Sequence, residues 1–154
     1  MSHRITVISP LGLLAIHGEK SITKLTWTSQ PHQSNLPELT KARDQIRSYF
    51  RKNLEHFDLS LDPVGTPFQK KVWKYILSIP YGHTKHYGAV AKTLRTSPRA
   101  IGKACASNPI PLLIPCHRVV GKNGALTGYS GKGGPKTKLY LLTLEEPINH
   151  SSST

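Results

Sequence analysis

A chain of 154 residues, 37% of them hydrophobic and with a formal net charge of +13, suits one compact unit or two small ones sharing an interface. The charge is uneven: residues 1–62 hold 8 Lys+Arg against 6 Asp+Glu, residues 63–154 hold 13 against 2, and no acid falls between Asp62 and Glu145. A surface built that way suits a polyanion. An anionic membrane fits less well, because no stretch segregates Lys and Arg from apolar residues, and the run Leu11–Ile16 is too short for a signal-peptide core or a bilayer span.

Along residues 4–28 apolar side chains alternate (Ile5, Val7, then Leu11, Leu13, Ala15, then Ile22, Leu25, Trp27), and Gly12 and Gly18 punctuate them. This predicts a small antiparallel sheet of about three strands. After a polar loop, Leu39, Ala42, Ile46, Tyr49 and Phe50 recur at helical spacing and predict an amphipathic helix over 37–53. Residues 57–61 read as one more strand. Composition and charge change at Asp62-Pro63-Val64-Gly65, so the chain divides into an N-terminal α/β domain, 1–62, and a mainly α domain, 63–149. A serine-rich tail, 150–154, is expected to be disordered.

The second part opens with a start signal: Thr66 caps, Pro67 fits the first turn, and Gln69 completes a capping box. Phe68, Val72, Tyr75, Ile76 and Ile79 form the predicted buried face of that helix. Short helices follow over about 86–94 and, after Ser97-Pro98, over 98–106. Two short helices joined by a tight turn on a basic domain read as a helix-turn-helix. On the second helix Arg99, Ala100, Gly102, Lys103, Ala104 and Ala106 form a mostly small face. It either lets a backbone approach a groove of DNA or packs against a neighbouring helix, at a helix-stability cost for Gly102 of about 1 kcal/mol against Ala. Residues 119–126 predict a tight hairpin through Asn123-Gly124. Residues 128–134 form a flexible loop, and Pro135 starts a last helix with Leu139, Leu141 and Leu142 apolar and Glu145 near its end.

The chemistry concentrates at Ile114-Pro115-Cys116-His117-Arg118-Val119. Pro115 has a fixed φ and aims the next residue. A cysteine is a strong nucleophile only as thiolate and needs a base. His117 is the nearest base, acting through a water or a turn, and in this acid-poor half only Glu145 or Glu146 can orient it. The plain alternatives are a buried structural Cys116, a core Tyr87 and an Arg118 engaged in a structural ion pair. Cys105 is read as inert helix packing. Free thiols point to a reducing cytoplasm; with no CxxC and no HxxxH, no metal is expected, and no cofactor motif is present.

Ser107-Asn108-Pro109, the run Ile114–Val120, Gly124–Gly131 and Lys138-x-x-Leu-Leu-x-x-Glu145 occur in order. From about Thr66 to Glu145 the chain resembles the O6-alkylguanine-DNA alkyltransferases (methylated-DNA–protein-cysteine methyltransferases). The resemblance implies an RNase H-like α/β domain followed by a helical, helix-turn-helix (winged-helix-like) DNA-binding domain. It implies DNA repair by direct, stoichiometric and irreversible transfer of an alkyl group from O6-alkylguanine, with O4-alkylthymine a further candidate, to Cys116. His117 and Glu145 would be the activating relay, and Asn108 would hold the active-site turn. Tyr87 would stand at the phosphate and help rotate the nucleotide, and Arg99, with Arg95 in reserve, would fill the vacated stack. Ala100 and Gly102 would face the minor groove; Tyr129 and Ser130 would bind the flipped base. The expected partner is double-stranded DNA, the expected state a cytoplasmic monomer, nucleoid-associated when bound. Lys132-Gly133 stands as an insertion beside the base pocket. Two rival readings are a Cys–His thiol hydrolase, which leaves the basic helix-turn-helix unexplained, and a damage sensor without chemistry, which leaves Cys116 idle.

Overall fold

The computed structural model describes residues 3–146, so the serine-rich tail expected at 150–154 lies outside the described residues. Strands β1 (Arg4–Ser9), β2 (Gly12–Gly18) and β3 (Ile22–Trp27) form the expected antiparallel sheet in the order β1-β2-β3. The first turn is tied by Ser9, whose Oγ donates to the Gly12 carbonyl at 2.8 Å, and Gly12 takes a φ of +111° that other residues rarely adopt. Alternation sets the faces: Ile5 and Val7 are buried while Ile8 is 83% exposed.

Helix α1 (Pro37–Phe50) covers the sheet with Leu39, Ala42, Ile46 and Tyr49. It ends earlier than its apolar spacing predicts, because the chain turns out through Lys52 at a φ of +64°. The strand expected over 57–61 reduces to one parallel bridge between Leu61 and Ile22. Asp62 N donates to Ile22 O at 2.7 Å, and Pro63 then has no amide hydrogen with which to continue the ladder.

Helix α2 (Pro67–Ile76) starts at the predicted capping box, both halves of which form. Its buried face differs from the expected one. Phe68 is 38% exposed, and Trp73 is buried instead, its Nε1 donating to Ala104 O at 2.8 Å. A buried indole needs that partner, and it fastens α2 to α4. Helix α3 (Tyr87–Leu94) and helix α4 (Pro98–Ala106) are joined by Arg95-Thr96-Ser97, with Arg95 left-handed at a φ of +57°. Ser97 caps α4 by accepting from Ala100 N at 3.1 Å. The hairpin expected over 119–126 keeps its Asn-Gly turn but not its return strand. Gly121 N reaches Ala125 O at 2.8 Å, while β5 (Val119–Val120) pairs in parallel with β4 (Lys85–His86). The Thr127 carbonyl is taken by Tyr87 and Lys138. Helix α5 (Pro135–Leu144) closes the fold; Leu139, expected with its apolar face, is 53% exposed.

The buried side chains form one contiguous cluster running from Ile5 to Leu141. Among the described residues no helix is long and apolar enough to cross a membrane. Trp73→Phe is expected to destabilise by about 1–3 kcal/mol, because it leaves a void and removes the buried donor to the Ala104 carbonyl, which keeps only Ser107 N at 3.3 Å, whereas Phe68→Ser at the exposed position should stay within about 0.5 kcal/mol. Urea midpoints of the two variants check the contrast.

Candidate active site

The segment before Cys116 is wound tightly. Asn108 holds it with both ends of its amide: Nδ2 donates to Ile114 O at 2.9 Å and Oδ1 accepts from Ile110 N at 2.9 Å. Leu112 is pulled to a φ of +78°. Pro115 then leads into a 3-10 turn over Cys116–Arg118, and every residue from Ile110 to Val120 is buried. The tight turn places His117 beside Cys116 in the interior, where an extended chain would have sent them to opposite faces.

His117 Nε2 and Glu145 Oε2 lie 2.7 Å apart. Glu145 follows α5 and is 2% exposed. Arg118 grips the same carboxylate, Nε donating to Oε1 at 2.8 Å and Nη2 to Oε2 at 3.0 Å, and its Nη1 donates to Ile79 O at 2.7 Å. A fourth group comes from α1, where the Tyr49 hydroxyl donates to Oε2 at 2.5 Å. Burial alone would raise the Glu145 carboxyl; the hydrogen bonds of His117 and Arg118 and the guanidinium charge outweigh it and hold the group down to about 2. His117 moves the other way from its usual range: burial lowers it more than Glu145 lifts it. The imidazole is therefore neutral at neutral pH. With an ionised carboxylate at Nε2, the ring hydrogen sits on that nitrogen, which leaves Nδ1 a bare acceptor. Nδ1 is buried and has no hydrogen-bond partner among the described residues.

Burial pushes the Cys116 thiol well up, and the neighbouring Cys105 thiol pushes it further; Asn108 and Lys138 pull it part of the way back. Cys105, expected to be inert helix packing, is fully buried on α4 and close enough to act on the nucleophile electrostatically. The resting pair is thus a thiol and a neutral imidazole, not a preformed ion pair.

Tyr87, at the start of α3, is 8% exposed. Its hydroxyl donates to Thr127 O and accepts from Lys138 Nζ at 3.1 Å. Lys138 Nζ also donates to Thr127 O at 2.7 Å. The Tyr129 hydroxyl is buried without a partner among the described residues, and burial, then Cys116 and Glu145, raise its pKa. Ser130 Oγ donates to Asn108 O at 2.9 Å. These groups lead outward to a groove of about 460 Å³ lined by Tyr87, Pro98, Arg99, Gly102, Thr127 and Gly128, with Lys103 beside them. A methyl built on Gly102 would meet nothing within 4 Å. Packing against a neighbouring helix is therefore not why α4 carries glycine there. Ala100 is half-buried on the same helix, Arg99 stands exposed at the groove, and Arg95 is exposed in the α3–α4 turn, outside it.

The structure thus brings Asn108, Cys116, His117, Glu145, Tyr129 and Ser130 together, with Tyr87, Arg99 and Gly102 along one groove. Arg118 makes the structural ion pair read from the sequence. Sequence reasoning missed two groups. Tyr49 counted only as an apolar helix position, and its hydroxyl gives no signal in a one-dimensional pattern. Lys138 did leave one: Lys138, Leu141 and Glu145 follow helical spacing on one face of α5, so a lysine sat on a buried stripe.

Residues 67–147 match the family described as 6-O-methylguanine DNA methyltransferase, DNA binding domain. The methylated-DNA–protein-cysteine methyltransferase of Mycobacterium tuberculosis strain H37Rv is 41% identical over 156 residues, covering 95% of this chain and 93% of that protein. The constitutive enzyme of that name from Bacillus subtilis is 36% identical over 159 residues, covering 94% and 96%. The crystal structure of the M. tuberculosis O6-methylguanine methyltransferase superposes with a TM-score of 0.82 at 37% identity over 100% of both chains. The M. tuberculosis OGT in complex with DNA gives 0.81 at 40% identity over 99% of both.

Because the folded Glu145 carboxyl lies below its ordinary value of 4.5, its stabilisation is full above that value and is lost as pH falls toward about 2. The linked contribution is on the order of 3 kcal/mol. Acid unfolding monitored by circular dichroism should therefore steepen between those limits, and Glu145→Gln should start less stable at neutral pH and lose less on acidification.

Proposed function

The chain belongs to the methylated-DNA–protein-cysteine methyltransferases, DNA-binding methyltransferases of DNA repair, and from that premise we propose that Cys116 takes the alkyl group directly from guanine O6 in duplex DNA. The observation that carries the proposal is the fully buried thiol next in sequence to a neutral imidazole whose bare nitrogen has no hydrogen-bond partner among the described residues. An alkyl carbon on a stacked base cannot reach a sulfur with no solvent exposure, so the nucleotide must leave the stack, at a cost of a few kcal/mol.

The reaction then proceeds with its atoms balanced. The Cys116 proton passes to His117 Nδ1, directly or through one water, as sulfur attacks the alkyl carbon. The S–C bond forms while the C–O6 bond breaks, and the electron pair stays on the base. Glu145 stabilises the transient imidazolium, and the proton returns to the base, which leaves as guanine. Tyr129 and Ser130 would contact the extruded base, and the Tyr129 hydroxyl, without a partner among the described residues, is available to donate to it. The open face at Gly102 and Ala100 suits close approach of a minor groove. Arg99 lines the groove and Arg95 does not, which favours Arg99 as the side chain that fills the vacated stack. Tyr87 is better suited to shaping the groove floor at the phosphate than to moving freely, because both polar contacts of its hydroxyl are already made.

The product is a thioether, which offers neither a carbonyl for water nor a disulfide for exchange. The proposed cycle therefore ends after one transfer. On the same reading the protein works as a cytoplasmic monomer without metal or cofactor, with an RNase H-like N-terminal half and a winged-helix-like α3–α4 unit, and O4-alkylthymine is a further candidate substrate. The rival hydrolase reading would require turnover, and the sensor reading would leave the thiol unmodified.

Mixed with excess O6-methylguanine duplex, the protein should gain one methyl by intact mass, and product should plateau at about one per active protein. Cys116→Ser should gain none while keeping its affinity for undamaged duplex. Continued linear product, or transfer by the serine variant, would refute the assignment.

The rate of transfer should be flat through neutral pH and fall only below the ordinary histidine value of 6.5, where protonation of His117 removes its acceptor. A single-turnover pH profile checks this. A fall centred at or above neutral would mean that the rate is limited by a thiolate formed in advance.

A further inference from the structure

The transfer chemistry gives the N-terminal sheet no task, yet β3 reaches the base-binding loop. The Trp27 indole is fixed on one edge by the β1–β2 turn: Nε1 donates to Leu11 O at 2.9 Å, and a methyl on Gly12 would lie 3.6 Å from Trp27 Cδ1. Its other edge faces Gly131. A methyl on Gly131 would lie 3.0 Å from Trp27 Cη2 and 2.4 Å from Tyr129 Cε2. The buried Gly131 therefore packs closely against both aromatic rings, which together fill the space a side chain would need. Two residues earlier on β3, Leu25 N donates to Pro109 O at 3.0 Å. Pro109 follows Asn108, whose carbonyl accepts from Ser130. The strand thus meets the active-site turn and the base loop at two neighbouring points.

The loop needs such a support. Gly128, Gly133 and Gly134 take φ values of +74°, +91° and +52°, Gly131 adds a fourth glycine, and Lys132-Gly133 lengthens the segment. Glycine loses the most conformational freedom on ordering, so the position of Tyr129 and Ser130 rests on a few outside contacts. Displacement of such groups by about 1 Å can cost up to 10²-fold in rate.

We propose that Trp27 is a positioning residue for the flipped base: a strut from the β1–β2 hairpin that holds Gly131 against Tyr129 and so fixes Tyr129 and Ser130. The inference rests on the alkyl-transfer reading above. Its specific content is that the N-terminal sheet sets base recognition, and neither DNA affinity nor the intrinsic reactivity of Cys116.

Three measurements on Trp27→Ala separate these: single-turnover transfer from O6-methylguanine duplex, affinity for undamaged duplex, and alkylation of Cys116 by methyl iodide, which needs no base pocket. Transfer from DNA should fall roughly tenfold, with the other two within about twofold of the parent protein. An unchanged transfer rate, or a parallel loss in all three, would overturn the proposal. Gly131→Ala attacks the same contact while leaving the sheet intact. It should slow transfer, and adding Trp27→Ala should cost no more than the worse single change, because both act through one contact. Losses that multiply would reject the strut even if Trp27→Ala proved poorly folded. Failure of the parent protein to transfer methyl at all would count against the alkyl-transfer reading instead.

Discussion

A single buried carboxylate organises this protein. Glu145 takes hydrogen bonds from Tyr49 on α1 and from His117 and Arg118 in the active-site turn, and Arg118 continues to the Ile79 carbonyl beyond α2. A charge moved out of water costs several kcal/mol unless its lone pairs are satisfied. Here both oxygens are filled, one of them by three donors. The same bonds that make the charge tolerable bring four separate segments of chain to one point. They also fix the histidine tautomer, so the structural requirement and the chemical one have a common solution.

The thiol poses the opposite problem. Its burial favours the protonated form, and the resting site leaves it there. Charge appears only when the alkyl carbon is attacked, and the interior is prepared for it. Arg118 balances Glu145, but Lys138 is buried with no carboxylate partner among the described residues, held by the Tyr87 hydroxyl and the Thr127 carbonyl. Burial pushes the Lys138 ammonium below its ordinary value, the two thiols lift it only part of the way back, and the lysine in turn draws Cys116 down. A site with such a fixed cation stabilises a developing sulfur anion without reorganising at the moment of reaction.

What was legible in the sequence were features written in local periodicity or local chemistry. The alternation of residues 4–28, the capping box at Thr66, the Ser97-Pro98 start and the Asn123-Gly124 turn each need only a few adjacent residues. The run around Cys116 was legible because a nucleophile, a base and a fixed φ stand side by side. Glu145 emerged by elimination, as one of two acids left in the basic half. What escaped depended on partners far along the chain. The choice of Trp73 over Phe68 is decided by the Ala104 carbonyl, the lost return strand after Asn123-Gly124 by competition from Lys85-His86, and the task of the Tyr49 hydroxyl by a carboxylate ninety-six residues away. Periodicity names the buried stripe of a helix to within one neighbour. It cannot say which side chain of that stripe has a polar end to satisfy.

The composition break at Asp62-Pro63 marks a change of charge, while the packing runs straight across it. Acids are confined to the first 62 residues and to Glu145-Glu146, so the basic groove lies on a part of the molecule with little to repel a polyanion. The links back to the sheet and α1 are made in buried or half-buried positions: Tyr49 to Glu145, Leu25 N to Pro109 O, and Trp27 against Gly131. Electrostatics can therefore be segregated by surface while mechanics is shared through the core. Long-range attraction falls off over about 10 Å at moderate salt and needs only the exposed Lys and Arg. Placement of a base to within a fraction of an ångström needs rigid contacts on both sides of the loop that receives it. The helical half supplies one side through Asn108 and Lys138, and the sheet supplies the other. This accounts for a DNA-binding segment of 67–147 folding against a neutral sheet that brings little charge of its own.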